Sequence, residues 1–157
     1  MILYLITDRT QADVNFAAAH RNSPAPLKGA YNADDYNRVG AAVNLLRDWL
    51  LSLGYGMPGI VPPAKDNWLN TDNFTPDDGA EYLSVVKKFR DTYALPTTPA
   101  VPLEIQELFN PGGHEKANDI ERIMLDVNTM IDNMTRNINL GWALGIAHIN
   151  LFGGITA

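Results

Sequence analysis

The 157-residue sequence contains no cysteine, so disulfide bonds and thiolate metal sites are excluded and the chain must fold on its own hydrophobic core. Positive charge is also scarce, since 12 lysines and arginines face 18 acidic residues and the formal net charge is −6. Non-specific binding to polyanions depends on an excess of positive charge. Nucleic acid and anionic membrane surfaces are therefore not expected partners.

Targeting and membrane-spanning segments are not expected either. The apolar start, residues 1–6, lacks a basic region and is followed closely by Asp8 and Arg9, which is unlike a secretory signal peptide. A membrane-spanning helix needs about 20 consecutive, predominantly apolar residues, and we expect no segment of this chain to insert into a bilayer. These absences favour a soluble protein that is not exported by the general secretory route.

Motifs that carry catalysis or bind metals are missing as well. His114 and Glu115 begin like a zinc-protease helix, but no second histidine follows four residues after the first. Residues 72–79 resemble a calcium loop only superficially, because the ligand spacing is wrong and Pro76 would stiffen the loop. No nucleophile elbow, phosphate loop or dinucleotide fingerprint is present. We therefore expect a protein that is not an enzyme and holds no cofactor or metal.

The sequence does contain strong signals for capped amphipathic helices. Thr10 and Asp13 have the spacing of a capping box, and Asn32 and Thr75 are suited to the N-caps of two longer helices. The patterns predict a short helix after Thr10 and longer helices that begin near residues 32, 75 and 115, the last ending near residue 137. Apolar residues recur at intervals of three and four along the second and fourth helices, at Tyr36, Val39, Val43, Leu46, Leu50 and Leu53 and at Ile120, Ile123, Met124, Val127, Met130, Ile131 and Met134.

The connections between these helices are long and rich in proline and glycine, above all residues 54–74 and 96–102. The predicted fold class is therefore mainly α, a compact bundle of about four helices with long irregular connections. The near-heptad spacing of two apolar faces also allows helices to associate between chains. Packing within one chain is the simpler expectation, because amphipathic helices of a short chain usually bury one another.

The composition changes after Arg136, where the chain becomes apolar, glycine-punctuated and free of charged residues. An isolated segment of this kind would aggregate, so we expect it to be covered by its own domain or by another subunit. The predicted organisation is a helical domain over residues 1–139 and an apolar, glycine-rich C-terminal arm for assembly over residues 140–157. The binding residues predicted in this arm are Trp142, Leu144, Ile146, Ile149 and Phe152.

Trp68 is a further binding candidate, because it lies in a polar stretch rich in aspartate and asparagine. A tryptophan in such a loop could stack on a sugar ring or anchor a protein interface. In the carbohydrate-binding interpretation, Trp68 would form a shallow site with Tyr55 and with Asp66, Asn67 and Asp72. The alternative is that Trp68 fills a gap over the helical bundle.

Several strings of the sequence, in this order, resemble small proteins and modules encoded near the tail genes of phages and prophages of gut Gram-positive bacteria. The resemblance covers about residues 7–134. Four segments carry it: residues 7–14, residues 27–39, residues 74–76 leading into 82–86, and residues 95–102 followed by 117–127. None of these strings is catalytic.

This resemblance implies a virion structural protein of a tailed phage, associated with the tail or its fibres and located in the particle. The expected partners are other virion proteins and further copies of the chain, in a homo-oligomer. The alternative function is a host-receptor or carbohydrate-binding module of the adsorption apparatus, whose partner would be a glycan of the host surface.

Overall fold

The computed structural model describes residues 3–23, 25–55 and 59–152, with side chains described as far as residue 137. The helices are α1 (Gln11–Ala19), α2 (Ala33–Ser52), α3 (Pro76–Tyr93) and α4 (Gly113–Phe152), and a short 3-10 helix (Ile105–Leu108) precedes α4. The described residues form no strand. The predicted class, a mainly α bundle of about four helices with long connections, is confirmed.

Three of the four predicted helix starts are confirmed by their N-caps. Thr10, Asn32 and Thr75 are the N-caps of α1, α2 and α3, and each forms a reciprocal capping box with the aspartate three residues later. At the start of α3, the Thr75 hydroxyl and amide both donate to Asp78. These hydrogen bonds, the hydroxyl first, hold the pKa of the Asp78 carboxyl below its ordinary value.

The core lies where α2, α3 and α4 meet, and it contains the apolar faces that the spacing predicts. Burial of each large apolar side chain stabilises the fold by roughly 1.5–3 kcal/mol. The fully buried residues are Val39, Val43, Leu46 and Leu50 of α2, Val86 and Phe89 of α3, and Ile120, Ile123, Met124, Val127 and Ile131 of α4.

Helix α4 differs from the prediction, because it continues to Phe152 instead of ending near residue 137. The physical reason is that the chain offers no stop signal there. Proline is absent after Arg136, leucine and alanine are good helix formers, and an isolated glycine such as Gly141 costs only about 1 kcal/mol. The helix therefore continues across the predicted boundary between residues 139 and 140.

The irregular chain between α2 and α3 is fastened to α2 by two asparagine side chains. Asn37 donates to the carbonyl of Trp68 at 2.8 Å and accepts from its amide at 2.6 Å. Two turns later, Asn44 makes the same pair of hydrogen bonds with Ala64, at 2.9 and 2.8 Å. Between them lies Gly40, where an added Cβ would be 2.4 Å from the backbone oxygen of Lys65. The helix can therefore approach this chain only through a residue without a side chain.

We expect Gly40→Ala to lower the free energy of unfolding by about 1–3 kcal/mol, because the new methyl group pushes the backbone of Lys65 away from α2. Denaturant titration followed by circular dichroism measures the change. The exposed neighbour Ala41 gives the control, since Ala41→Gly reports helix propensity alone and should cost about 1 kcal/mol. A stability gain in Gly40→Ala would contradict the close approach.

Candidate functional site

The N-terminal segment, residues 3–9, crosses the bundle without regular secondary structure and buries Arg9. Asn118 of α4 holds the backbone of Arg9 from both sides, accepting from its amide at 2.9 Å and donating to its carbonyl at 3.0 Å. Glu121, one turn later, accepts a hydrogen bond from the amide of Ile6. The segment is therefore fixed in register along the first half of α4.

The Arg9 side chain enters a buried cluster of four charges, which we call the ion cluster: Arg9, Asp35, Arg38 and Glu121. Arg9 Nη2 lies 2.7 Å from Asp35 Oδ1 and 2.6 Å from Glu121 Oε1. Arg38 contacts the same two carboxylates and reaches Glu121 with Nε at 3.0 Å and Nη2 at 2.7 Å. The cluster contains two positive and two negative groups, so its formal charge is zero.

The carboxylates of the ion cluster keep the Arg38 guanidinium charged. Burial alone would lower the pKa of Arg38, but the hydrogen bond and charge of Glu121, together with Asp35, raise it instead. Both carboxylates are held by two guanidinium groups, and Glu121 is fully buried. The ion cluster therefore joins the N-terminal segment, α2 and α4.

A pair of tyrosines lies beside the ion cluster. The hydroxyls of Tyr31 and Tyr82 are 2.7 Å apart, and the ring of Tyr31 lies 5.6 Å from the guanidinium carbon of Arg9. The ring of Tyr36 stacks on Phe74 with 4.6 Å between centroids. Burial raises the pKa of all three phenols. At Tyr31 and Tyr36, the negative charge of Asp35 makes a smaller contribution in the same direction.

An open groove of about 770 Å³ lies on the outer side of this region. One wall is α1, the other is the turn of residues 108–114 that leads into α4, and residues 25–32 line it as well. Gly29 lets this last segment approach α1, because an added Cβ would be 2.0 Å from the carbonyl oxygen of Asp13. Arg9 also lines the groove, so the ion cluster supports it from within.

The groove has the chemistry of a surface for protein contact. Its apolar lining includes Val14, Ala17, Ala18, Leu27, Leu108 and Phe109, and its uncharged polar lining includes Gln11, Asn32, Asn70 and Asn110. Phe109 is 55% exposed, so the groove presents one large apolar ring that a partner could contact. The charged residues that line the groove are Arg21, Asp34 and the paired Arg9, so its net charge is small.

Metal binding and membrane spanning find no support in the described part of the chain. Among the residues that the structure describes, no three histidine, aspartate or glutamate side chains lie close enough together to hold a metal ion. Within the same part, no helix is both long and apolar enough to cross a bilayer.

Trp68, one of the predicted binding residues, lies in the core, and its role in binding stays a prediction. Its residue is 8% exposed, and its ring packs 5.2 Å from that of Phe74 while the ammonium of Lys65 covers it at 3.4 Å. The interpretation that Trp68 fills a gap over the bundle describes this geometry. Its polar neighbours are used internally, since Asp66 accepts from Asn44 at 3.1 Å and Asp72 from the amide of Leu69 at 3.0 Å.

The five binding residues predicted in the arm lie on the second half of α4. They are Trp142, Leu144, Ile146, Ile149 and Phe152. Their side chains lie outside the described part of the structure, so their role in binding stays a prediction.

The ion cluster and the groove are not among the sites that the sequence predicts. A signal for one member does exist, because Glu121 occupies a helix position whose neighbours Ala117 and Met124 belong to the apolar face. An acid on such a face is rarely buried without a partner. Its partner Arg9 is 112 residues away, however, and no spacing rule connects the two.

Comparisons with protein-family models, with curated proteins and with solved structures find no match to this chain. The resemblance of the sequence strings to phage tail-region proteins therefore stays a prediction.

We expect Glu121→Gln to lower the free energy of unfolding by about 3–5 kcal/mol, because it leaves the buried guanidinium of Arg9 and the partly buried one of Arg38 with Asp35 as their one remaining anion in the cluster. Chemical denaturation at neutral pH measures the loss. Asp119→Asn is the matched control on the same helix, since its 3.4 Å contact with Arg122 is solvent-exposed. Loss of that contact should lower the free energy of unfolding by less than about 1 kcal/mol. Equal effects of the two substitutions would contradict the buried charge balance.

A second prediction concerns alkaline pH. Because the folded-state pKa values of Tyr31, Tyr36 and Tyr82 lie above the ordinary 10, the stability they contribute is present below pH 10 and is lost as the pH rises beyond it. Melting temperature and phenolate absorbance, measured from about pH 9 to 12, should show these phenols ionising together with unfolding. Tyr4→Phe, at an exposed position, is the control and should leave that coupling unchanged. Ionisation of the three phenols in a still-folded protein would contradict the prediction.

Proposed function

We propose that this protein is a structural component of a tailed phage particle, associated with the tail or its fibres, that acts by protein–protein assembly. Its partners would be further copies of itself and other virion proteins. The groove, the buried ion cluster and the long final helix are the features that support a role in assembly over a role in catalysis.

The length of α4 carries the proposal. Helices α2 and α3 have 20 and 18 residues, whereas α4 has 40. At about 1.5 Å per residue, the first two helices span about 30 Å, and α4 spans about 60 Å. Ile131 is the last buried residue described on α4, and residues 132–137 are partly or fully exposed. The described part of the core therefore reaches Ile131, near the middle of the helix.

The sequence of the second half of α4 supports the same conclusion. No charged residue occurs after Arg136, and helical spacing puts Ile138, Trp142, Ile149 and Phe152 on the continuation of the stripe that contains Met124, Val127 and Ile131. An apolar stripe on a helix at least twice as long as α2 or α3 favours a second protein surface as its partner. Tail and fibre proteins, which work by repeated subunit contact, are a natural setting for such a helix.

Carbohydrate binding receives less support. Trp68 is the centre of the predicted carbohydrate site, and its ring is covered by Lys65 and by aromatic neighbours. Asp66 and Asp72 hold the loop itself. None of these described residues offers an exposed tryptophan ring for stacking on a sugar.

Self-association is the first test, measured as molar mass by light scattering over a range of concentrations. We expect the full chain to form an oligomer and Ile146→Glu with Ile149→Glu to reduce it to the monomer mass of 17.3 kDa. Two buried charges at an apolar contact would have to be desolvated, which costs several kcal/mol. The same loss should follow deletion of residues 140–157, with the helical signal of residues 3–137 retained.

The matched control adds the same charge to the first half of α4. Leu125→Glu with Thr129→Glu changes two exposed positions and should leave the mass of the oligomer unchanged. A full chain that stays monomeric, or an arm variant that keeps the wild-type mass, would refute assembly through the arm. The tail assignment itself is tested on gradient-purified particles of a phage that encodes the chain, where mass spectrometry must detect it.

A further inference from the structure

The groove beside α1 and the apolar arm are joined by one helix. Gly113, His114 and Ala117, in the first turns of α4, line the groove, and the arm residues 140–152 occupy the last turns of the same helix. At about 1.5 Å per residue, the backbone of His114 and that of Trp142 are about 40 Å apart along α4. A continuous helix holds them at that distance, so the arm of a chain cannot enter the groove of the same chain.

The groove and the arm match in chemistry. Apolar side chains on both walls of the groove face a lumen of about 770 Å³, which is in the size range of pockets that accept bulky apolar groups. By helical spacing, Trp142, Ile146 and Ile149 form an i, i+4, i+7 row, the pattern of a helix that binds in a groove. The arm carries no charge, and the groove exposes one arginine and one aspartate, Arg21 and Asp34, so little charge has to be desolvated.

We infer that the groove receives the C-terminal arm of a second copy of this chain. The Trp142 face of the incoming helix packs between α1 and the turn at Phe109, with Trp142 as its anchor. The contact joins different surfaces of the two copies and is therefore head to tail. Repetition of such a contact closes into a ring or continues as a helical filament. This inference rests on the proposed function, because it names the surface that the arm binds.

The test uses two full-length variants that each lose one side of the contact. Ala18→Glu with Phe109→Glu places two charges at exposed positions in the groove and keeps the arm intact. Ile146→Glu with Ile149→Glu changes the arm and keeps the groove intact. Each variant alone should show the 17.3 kDa mass of one chain, and an equimolar mixture should show twice that mass. In the mixture, the intact arm of the groove variant binds the intact groove of the arm variant. The altered arm and altered groove of that pair can bind no third chain.

The groove control is Ala12→Glu with Ala19→Glu, which adds the same charge on the exposed side of α1 and should keep wild-type assembly. Circular dichroism checks the fold of every variant, and Ala18→Arg with Phe109→Arg replaces the groove variant if that one does not fold. The inference is overturned if the groove variant assembles like the wild type while the arm variant does not, since the arm would then bind another arm. That result would leave the proposed assembly role intact.

Two further results also overturn the inference. Monomeric variants that form no heterodimer on mixing would show that the arm and groove of these copies do not meet. A wild-type chain that is itself monomeric would remove both the inference and the self-assembly on which it rests.

Discussion

The ion cluster determines how the parts of this fold are arranged. Arg9 comes from the N-terminal segment, Asp35 and Arg38 from α2, and Glu121 from α4, so a single set of contacts joins three distant parts of the chain. Charge burial is expensive, and a cluster of this kind adds little to stability compared with apolar residues of similar volume. The ion cluster instead fixes how far α4 can slide along α2 and the N-terminal segment, since a one-turn shift of α4 would leave charges without partners. The position of α1, directly after Arg9, follows from it.

The irregular connections obey a related constraint, because a backbone that crosses a helical bundle must find hydrogen-bond partners without a sheet. Three asparagines solve this problem in the same way. Asn118 brackets the backbone of Arg9, Asn37 that of Trp68 and Asn44 that of Ala64, each through one donated and one accepted hydrogen bond. A short amide side chain has the donor and acceptor of a peptide group, so a helix that carries it can pair with extended chain. The connection between α2 and α3 is thereby fixed to α2 at two points, Ala64 and Trp68.

The sequence predicts those features of the fold that depend on near neighbours. Capping boxes at Thr10, Asn32 and Thr75 involve residues three positions apart, and the buried faces of α2 and α4 repeat every three or four residues. Contacts between distant residues obey no such period, which is why the pairing of Arg9 with Glu121 and the shape of the groove are absent from the prediction. The polar residues next to Trp68 in the sequence do not show, for a similar reason, that its ring is buried. Its loop turns inward because Asn37 and Asn44 hold it, and neither residue is close to it in sequence.

Charge gives the groove and the arm a physical reason to meet. All charged residues of the chain lie within residues 1–136, so the net charge of −6 belongs entirely to the part that contains the bundle. Two bundles in direct contact would repel one another, whereas the uncharged arm can approach a bundle without this cost. With Ile131 buried in its own bundle and Trp142 in the groove of the next copy, about 16 Å of helix would separate neighbouring bundles. That separation exceeds the screening length of about 8 Å at physiological ionic strength, so the like charges of successive subunits would hardly interact. In the proposed contact, a long helix with an apolar end would therefore let acidic subunits associate in series.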